Sequence, residues 1–151
     1  MANPLIRMDL PAGMVLIECL PDTAPNHVAQ ILQIAAAGHY DGVPFHRVIE
    51  GFMAQGGWCN KGWPALQAEF NTYPHHRGAC SMARTNDPNS ASDQFFICFA
   101  DCSFLNGQYT TWGRVIYGME HVDAITRGEP PAEPTAIIRM RPVDAEKIGA
   151  E

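Results

Sequence analysis

The stretch Phe45-His46-Arg47-Val48-Ile49-Glu50-Gly51-Phe52-Met53-Ala54-Gln55-Gly56-Gly57 decides how this chain is read. It holds two short apolar runs, Phe45–Ile49 and Phe52–Gly56, joined at Glu50-Gly51, which is the pattern of a β-hairpin. In an extended strand Phe45, Arg47 and Ile49 share one face, and His46 and Val48 the other. Arg47 then lies among apolar neighbours, where an unpaired charge is costly. Gln55 on the second strand can accept from its guanidinium, as can the carbonyl of a bound substrate. Taken alone, Arg47 also fits a surface arginine resting its stem on apolar side chains.

Outward from the hairpin the same grammar continues. On the amino-terminal side, Met14–Leu20 reads as a buried strand. Asp22 or Thr23 can cap a helix with Pro25 in its first turn, and Val28, Ile31, Leu32 and Ala35 form its apolar stripe. Gly38 is placed to end that helix in a left-handed conformation. On the carboxyl-terminal side, Trp58–Pro74 is irregular. Gly78–Ala83, Gln94–Phe99 and Tyr109–Ile116 read as strands, Met119–Ile125 as a short helix, and Thr135–Met140 as a final strand after a stiff, proline-rich Glu129–Pro134 connection. Many short strands, two helices and no internal repeat predict a closed or nearly closed barrel in a single domain spanning residues 1–151.

Composition narrows the function. Hydrophobic residues make up 46% of the chain and charged residues 17%, which predicts a folded domain rather than a disordered one. A formal net charge of −6 with no basic run argues against nucleic acid or an anionic membrane as partner. No targeting segment is visible: Met14–Leu20 is interrupted by Glu18 and is too short to span a bilayer. The five cysteines form an odd set without Cys-x-x-Cys spacing, which predicts reduced thiols and a cytoplasmic setting. The histidines share no metal-ligand spacing, and Ser81 or Ser103 fits no nucleophile motif, so neither a metal nor a hydrolytic site is expected.

The hairpin segment resembles the signature of the cyclophilin family, Phe-His-Arg-Val/Ile-Ile-x-Gly-Phe-Met-x-Gln-Gly-Gly. A second block, Arg77–Ala83 followed by Ser92-Asp93-Gln94-Phe95-Phe96-Ile97, is similar to the family's next block. So is a third, Phe104-Leu105-Asn106-Gly107-Gln108-Tyr109-Thr110-Thr111-Trp112-Gly113-Arg114-Val115, to the one after it. The matches run in order from about Met14 to Met140. The resemblance implies a closed eight-stranded antiparallel β-barrel capped by two helices, and peptidyl-prolyl cis–trans isomerase activity in a groove on its outer wall. It implies Arg47 as the catalytic residue with Gln55 as its hydrogen-bonding neighbour. Phe52, Met53, Phe96, Leu105 and Tyr109 would form the proline pocket, with Phe104 at its edge. Ala83 and the backbone of Arg84 would align the peptide, and Gln94 would help hold it.

The implied partners are proline-containing peptides and unfolded proteins, met by a monomer without cofactor. A binding module that holds proline segments with little turnover is the alternative. Three departures stand out: Trp58–Ala68 is short and lacks the usual glycine- and threonine-rich stretch, Arg84 replaces asparagine, and Phe104 and Tyr109 replace tryptophan and histidine. Cyclosporin-like macrocycles are therefore expected to bind with reduced affinity, because Phe104 offers no indole donor.

Overall fold

Among the described residues, eight short strands, each with an apolar side to bury, pair antiparallel into one curled sheet. A computed structural model describes residues 3–143. The strands are β1 (Leu5–Leu10), β2 (Gly13–Cys19), β3 (Phe45–Ile49), β4 (Met53–Gly56), β5 (Ala79–Met82), β6 (Phe95–Cys98), β7 (Thr111–Tyr117) and β8 (Arg139–Val143). Within residues 3–143 two helices join them, α1 (Pro25–Ala36) and α2 (Met119–Asp123), with a 3-10 turn at Ser103–Leu105. The spatial order is β3-β4-β6-β5-β7-β2-β1-β8.

The expected closed barrel is corrected in one respect. Among the described residues, no ladder joins the edge strands β3 and β8. The seam is made by the chain preceding β8, through isolated bridges Val48↔Gly128 and Pro44↔Ala136. Pro130, Pro131 and Pro134 fall in this segment and have no N–H to donate, so a continuous ladder cannot form there. Thr135–Ile137, expected as strand, are used in the seam instead: Phe45 N–H donates to the Thr135 carbonyl at 2.9 Å, and Ile137 N–H to that of Val43 at 2.9 Å. The last strand accordingly begins later than expected, at Arg139.

At the other end, β1 adds a strand to those expected, and Ile6, Met8 and Leu10 alternate there with the more exposed Arg7 and Asp9. Helix α1 buries Val28, Ile31 and Ala35 as expected, and adds His27, Gln30 and Ile34. Its start differs from the expected cap. Ala24 is the N-cap residue, and the Thr23 hydroxyl donates to the Leu20 carbonyl at 2.9 Å. The helix N–H groups of Asn26 and His27 are met by the Glu69 carboxylate from a distant loop, at 3.2 and 2.8 Å. Gly38 does adopt a left-handed conformation, with φ +76°.

Strand alternation then creates two apolar layers. Inward-facing Ile6, Met8, Ile17, Phe45, Ala54, Cys80, Met82, Phe95, Ile97 and Trp112 fill the barrel. Outward-facing Met53, Ala79, Phe96 and Cys98 join Cys102 in a second cluster on the outer wall, flanked by Ile49, Phe52, Ala83, Leu105 and Tyr109. A half-barrel with a solvent face would normally place polar groups there. An apolar outer face marks this wall as the place to look for a site.

Candidate active site

A bulge in β3 aims Arg47. The pairing of β3 with β4 runs Ile49↔Met53, Val48↔Ala54, Arg47↔Gln55, then skips to Phe45↔Gly56, leaving His46 as the extra residue. The bulge breaks the simple alternation expected from sequence. Phe45 and Val48 both point into the core, whereas Arg47 is exposed and Ile49 half-buried on the outer wall. A bend at the β3–β4 turn brings Phe52 beside Met53. Gly51 stands at φ +72°, and a Cβ added there would meet no atom within 4 Å, so its backbone angle rather than crowding explains glycine at this turn.

The registers of adjacent ladders lay the key residues in one row. Arg47 pairs with Gln55, Gln55 with Phe96, and Phe96 with Ser81, across β3, β4, β6 and β5. Along this row Arg47 Nη1 donates to Gln55 Oε1 at 3.3 Å, and Gln55 Nε2 donates to Gln94 Oε1 at 3.1 Å. Arg47 Nε donates to Glu129 Oε1 at 3.2 Å. Beside the guanidinium opens a cavity of about 170 Å³, lined by Arg47, Phe52, Met53, Gln55, Ala83, Arg84, Phe96, Leu105 and Tyr109. Phe96 and Tyr109 meet edge to face at 5.8 Å between ring centroids.

Two other candidates lie outside this cavity. Gln94 lines an adjacent depression with Gln55, Ala83, Arg84, Thr85 and Ser90, and its carbonyl accepts from Ala83 N–H at 3.0 Å. Phe104 stands on the rim, 65% exposed, its ring tilted against Phe52 at 5.7 Å. The short Trp58–Ala68 segment contributes no lining residue to either depression. It leans toward α1 and the turn that follows it, through Gln30 Nε2–H to the Pro64 carbonyl at 2.9 Å and Trp63 Nε1–H to His39 Nδ1 at 3.0 Å.

The family model for cyclophilin type peptidyl-prolyl cis-trans isomerases matches residues 5–144. The chain belongs to the cyclophilin family. A probable peptidyl-prolyl cis-trans isomerase of Brucella abortus is 47% identical over 140 residues, covering 82% of this chain and 71% of the relative. A peptidyl-prolyl cis-trans isomerase of Arabidopsis thaliana is 38% identical over 143 residues, covering 87% and 89%. Among solved structures, a cyclophilin from Hirschia baltica superposes with a TM-score of 0.86 at 33% identity, covering 90% of this chain and 72% of that one. This cyclophilin is a peptidyl-prolyl cis–trans isomerase on those grounds.

Sequence reasoning missed three side chains of this cyclophilin's site. The Arg84 guanidinium lies 4.6 Å from the centre of the Tyr109 ring and donates to the Gln108 carbonyl through Nε at 3.0 Å and Nη2 at 2.7 Å. The residue expected to act through its backbone thus also clamps one wall of the cavity. Glu129, in a stretch expected to be a mere connector, touches Arg47. His75, fully buried, stacks on Phe96 at 6.1 Å with 18° between the rings. His75 Nδ1 donates to Asn106 Oδ1 at 3.0 Å, and Nε2 lies 2.8 Å from Ser81 Oγ. It therefore ties the Phe96 floor to the loop carrying Leu105 and Tyr109.

Burial pushes the His75 pKa below its ordinary value, partly opposed by the bond to Asn106, with the nearby His76 also lowering it. A histidine with a depressed folded-state pKa binds its proton first in the unfolded chain. Its contribution to stability is present above about pH 6.5, the unfolded value, and is lost as pH falls below it. His46, also lowered chiefly by burial, adds in the same direction. Thermal unfolding from about pH 7.5 to 5, a window that spans the unfolded value, should show the wild type losing stability, and His75→Gln should lose it less steeply. Parallel slopes for the two proteins would mean that His75 titrates normally.

Proposed function

We propose that the X–Pro bond is twisted beside Arg47, with the proline ring seated on Phe96 among Phe52, Met53, Leu105 and Tyr109. The row Arg47–Gln55–Phe96 carries this reading, because it sets a held cation next to an apolar cavity. Amide resonance opposes rotation by ~18–20 kcal/mol. Rotation needs no nucleophile, only a twisted state in which the proline nitrogen keeps its lone pair. Donation from a guanidinium to that nitrogen favours the twisted over the planar amide, which is differential binding of the transition state. Guanidinium stays protonated and has donors to spare after Gln55 and Glu129 have taken one each. Seating the ring excludes water and strengthens that bond.

In this reading Ala83, Arg84 and Gln94 align the flanking peptide along the second depression. A Cryptosporidium parvum cyclophilin, 26% identical with a TM-score of 0.84, was crystallised in the presence of the dipeptide Ala-Pro, which supports a proline-bearing ligand here too. Flexible prolyl segments of unfolded proteins are the proposed substrates, and cyclosporin-like macrocycles are proposed to compete for the groove weakly. Exchange NMR on an unstructured prolyl peptide tests this without added metal or nucleotide. Micromolar protein should speed cis–trans exchange and shift the amides of β4, β6 and residues 103–109, and an excess of the macrocycle should slow the exchange again while shifting the same amides itself. Shifts in those amides without faster exchange would support a proline-holding module instead.

A further inference from the structure

We propose that Glu129 is a specificity-determining residue of the prolyl groove, favouring peptides with a positive charge next to the proline and disfavouring those with a negative one. The inference rests on the reading that the X–Pro bond lies beside Arg47.

The carboxylate is placed by the backbone, not by chance. Val48 and Gly128 exchange both of their hydrogen bonds, each at 2.8 Å. In an antiparallel bridge the residue after Gly128 then lies opposite the residue before Val48, so Glu129 is set against Arg47. Gly128 itself cannot readily be changed: at φ +146° a Cβ would stand 2.5 Å from Pro131 Cα. The result is the contact from Arg47 Nε to Glu129 Oε1 at 3.2 Å, between side chains that are 46% and 56% exposed. The neighbouring acid, Glu50, is held elsewhere, accepting from Arg127 Nε at 2.7 Å. Glu129 is thus the carboxylate seated at the guanidinium that the substrate must meet.

In this proposal, with the X–Pro bond beside Arg47, a flanking side chain of the peptide comes within reach of this carboxylate. A lysine there gains a partner, and a glutamate meets a like charge. Because the pair is half-exposed, solvent and salt weaken the effect, and the discrimination should be modest, about threefold in kcat/KM between Lys and Glu at low salt. It is a preference, not an exclusion.

The test is exchange NMR with the whole protein and three otherwise identical prolyl peptides carrying Lys, Gln or Glu beside the proline, with each flank tried in turn. At low ionic strength the wild type should rank Lys above Gln above Glu on at least one flank, and the spread should shrink at high salt. In Glu129→Gln the Lys-over-Glu ratio should collapse or invert, while Glu129→Asp should retain its sign. Those ratios are taken within each variant, so a general loss of activity does not mimic the effect. Charge-blind turnover by the wild type, or a ratio unchanged in Glu129→Gln, overturns the proposal. No acceleration of any peptide would instead overturn the reading of the groove itself.

Discussion

Truncating Phe95 and Phe96 to alanine, one at a time, should give opposite kinds of damage although the residues are adjacent. Phe95 is fully buried in the barrel and meets Tyr40, Phe45 and Trp112 edge to face at 5.5, 6.1 and 5.9 Å. Its removal leaves a closed cavity that the surrounding rings cannot collapse into, so Phe95→Ala should cost about 3–5 kcal/mol. For a domain of this size that is a fall in Tm of roughly 6–20 °C, a large part of total stability. Phe96 sits on the other face of β6, against His75 and Tyr109, and borders the open groove. Water can enter the space left by Phe96→Ala, so the stability cost should be smaller, while kcat/KM should drop about tenfold or more because the proline loses its floor. Thermal unfolding and peptide isomerisation measured on both variants check the contrast. Equal losses of stability and activity in the two would mean that the wall has no separate outer layer.

Much of this is legible in the chain because local chemistry and motif order agree. The hairpin of β3 and β4 and the stripe of α1 lie where the sequence places them, and nine of the residues named from sequence, from Arg47 to Tyr109, line one cavity. The misreadings share a cause: each depends on pairing with partners outside the segment being read. The bulge at His46 arises from the register against β4 and cannot be read from β3 alone, which is why alternation puts Phe45 and Arg47 on one face. The helix cap comes from Glu69, not from Asp22 or Thr23, because a carboxylate from a distant loop can serve the same N–H groups. The barrel seam depends on where three prolines forbid a ladder. Glu129 meets Arg47 across 82 residues of chain, and no periodicity announces such a pairing. His75 carries no comparable signal, since it stands between Pro74 and the polar pair His76-Arg77 with nothing beside it to mark it as buried. Its stack on Phe96 emerges only from the fold.

Arg47→Ala should leave the barrel intact and remove most of the catalysis. The side chain is exposed, and its bonds to Gln55 and Glu129 at 3.3 and 3.2 Å are of the surface kind that contribute little to stability. Its proposed work is done only on the twisted amide, so its loss should appear in kcat/KM: at least tenfold, or about 1.4 kcal/mol of transition-state stabilisation, and on the order of a hundredfold if the site behaves like other preorganised donor sites. Arg47→Lys should recover part of this, because an ammonium keeps the charge but not the fork of donors that Gln55 and Glu129 hold in place. The decisive measurement is the cis–trans exchange rate of one unstructured prolyl peptide with wild type, Arg47→Ala and Arg47→Lys at equal concentration, paired with the Tm of each. The expected result is exchange in the order wild type, Lys, Ala, with Tm values alike. Undiminished exchange by Arg47→Ala, or a loss of exchange matched by a loss of thermal stability, would contradict a catalytic role for Arg47.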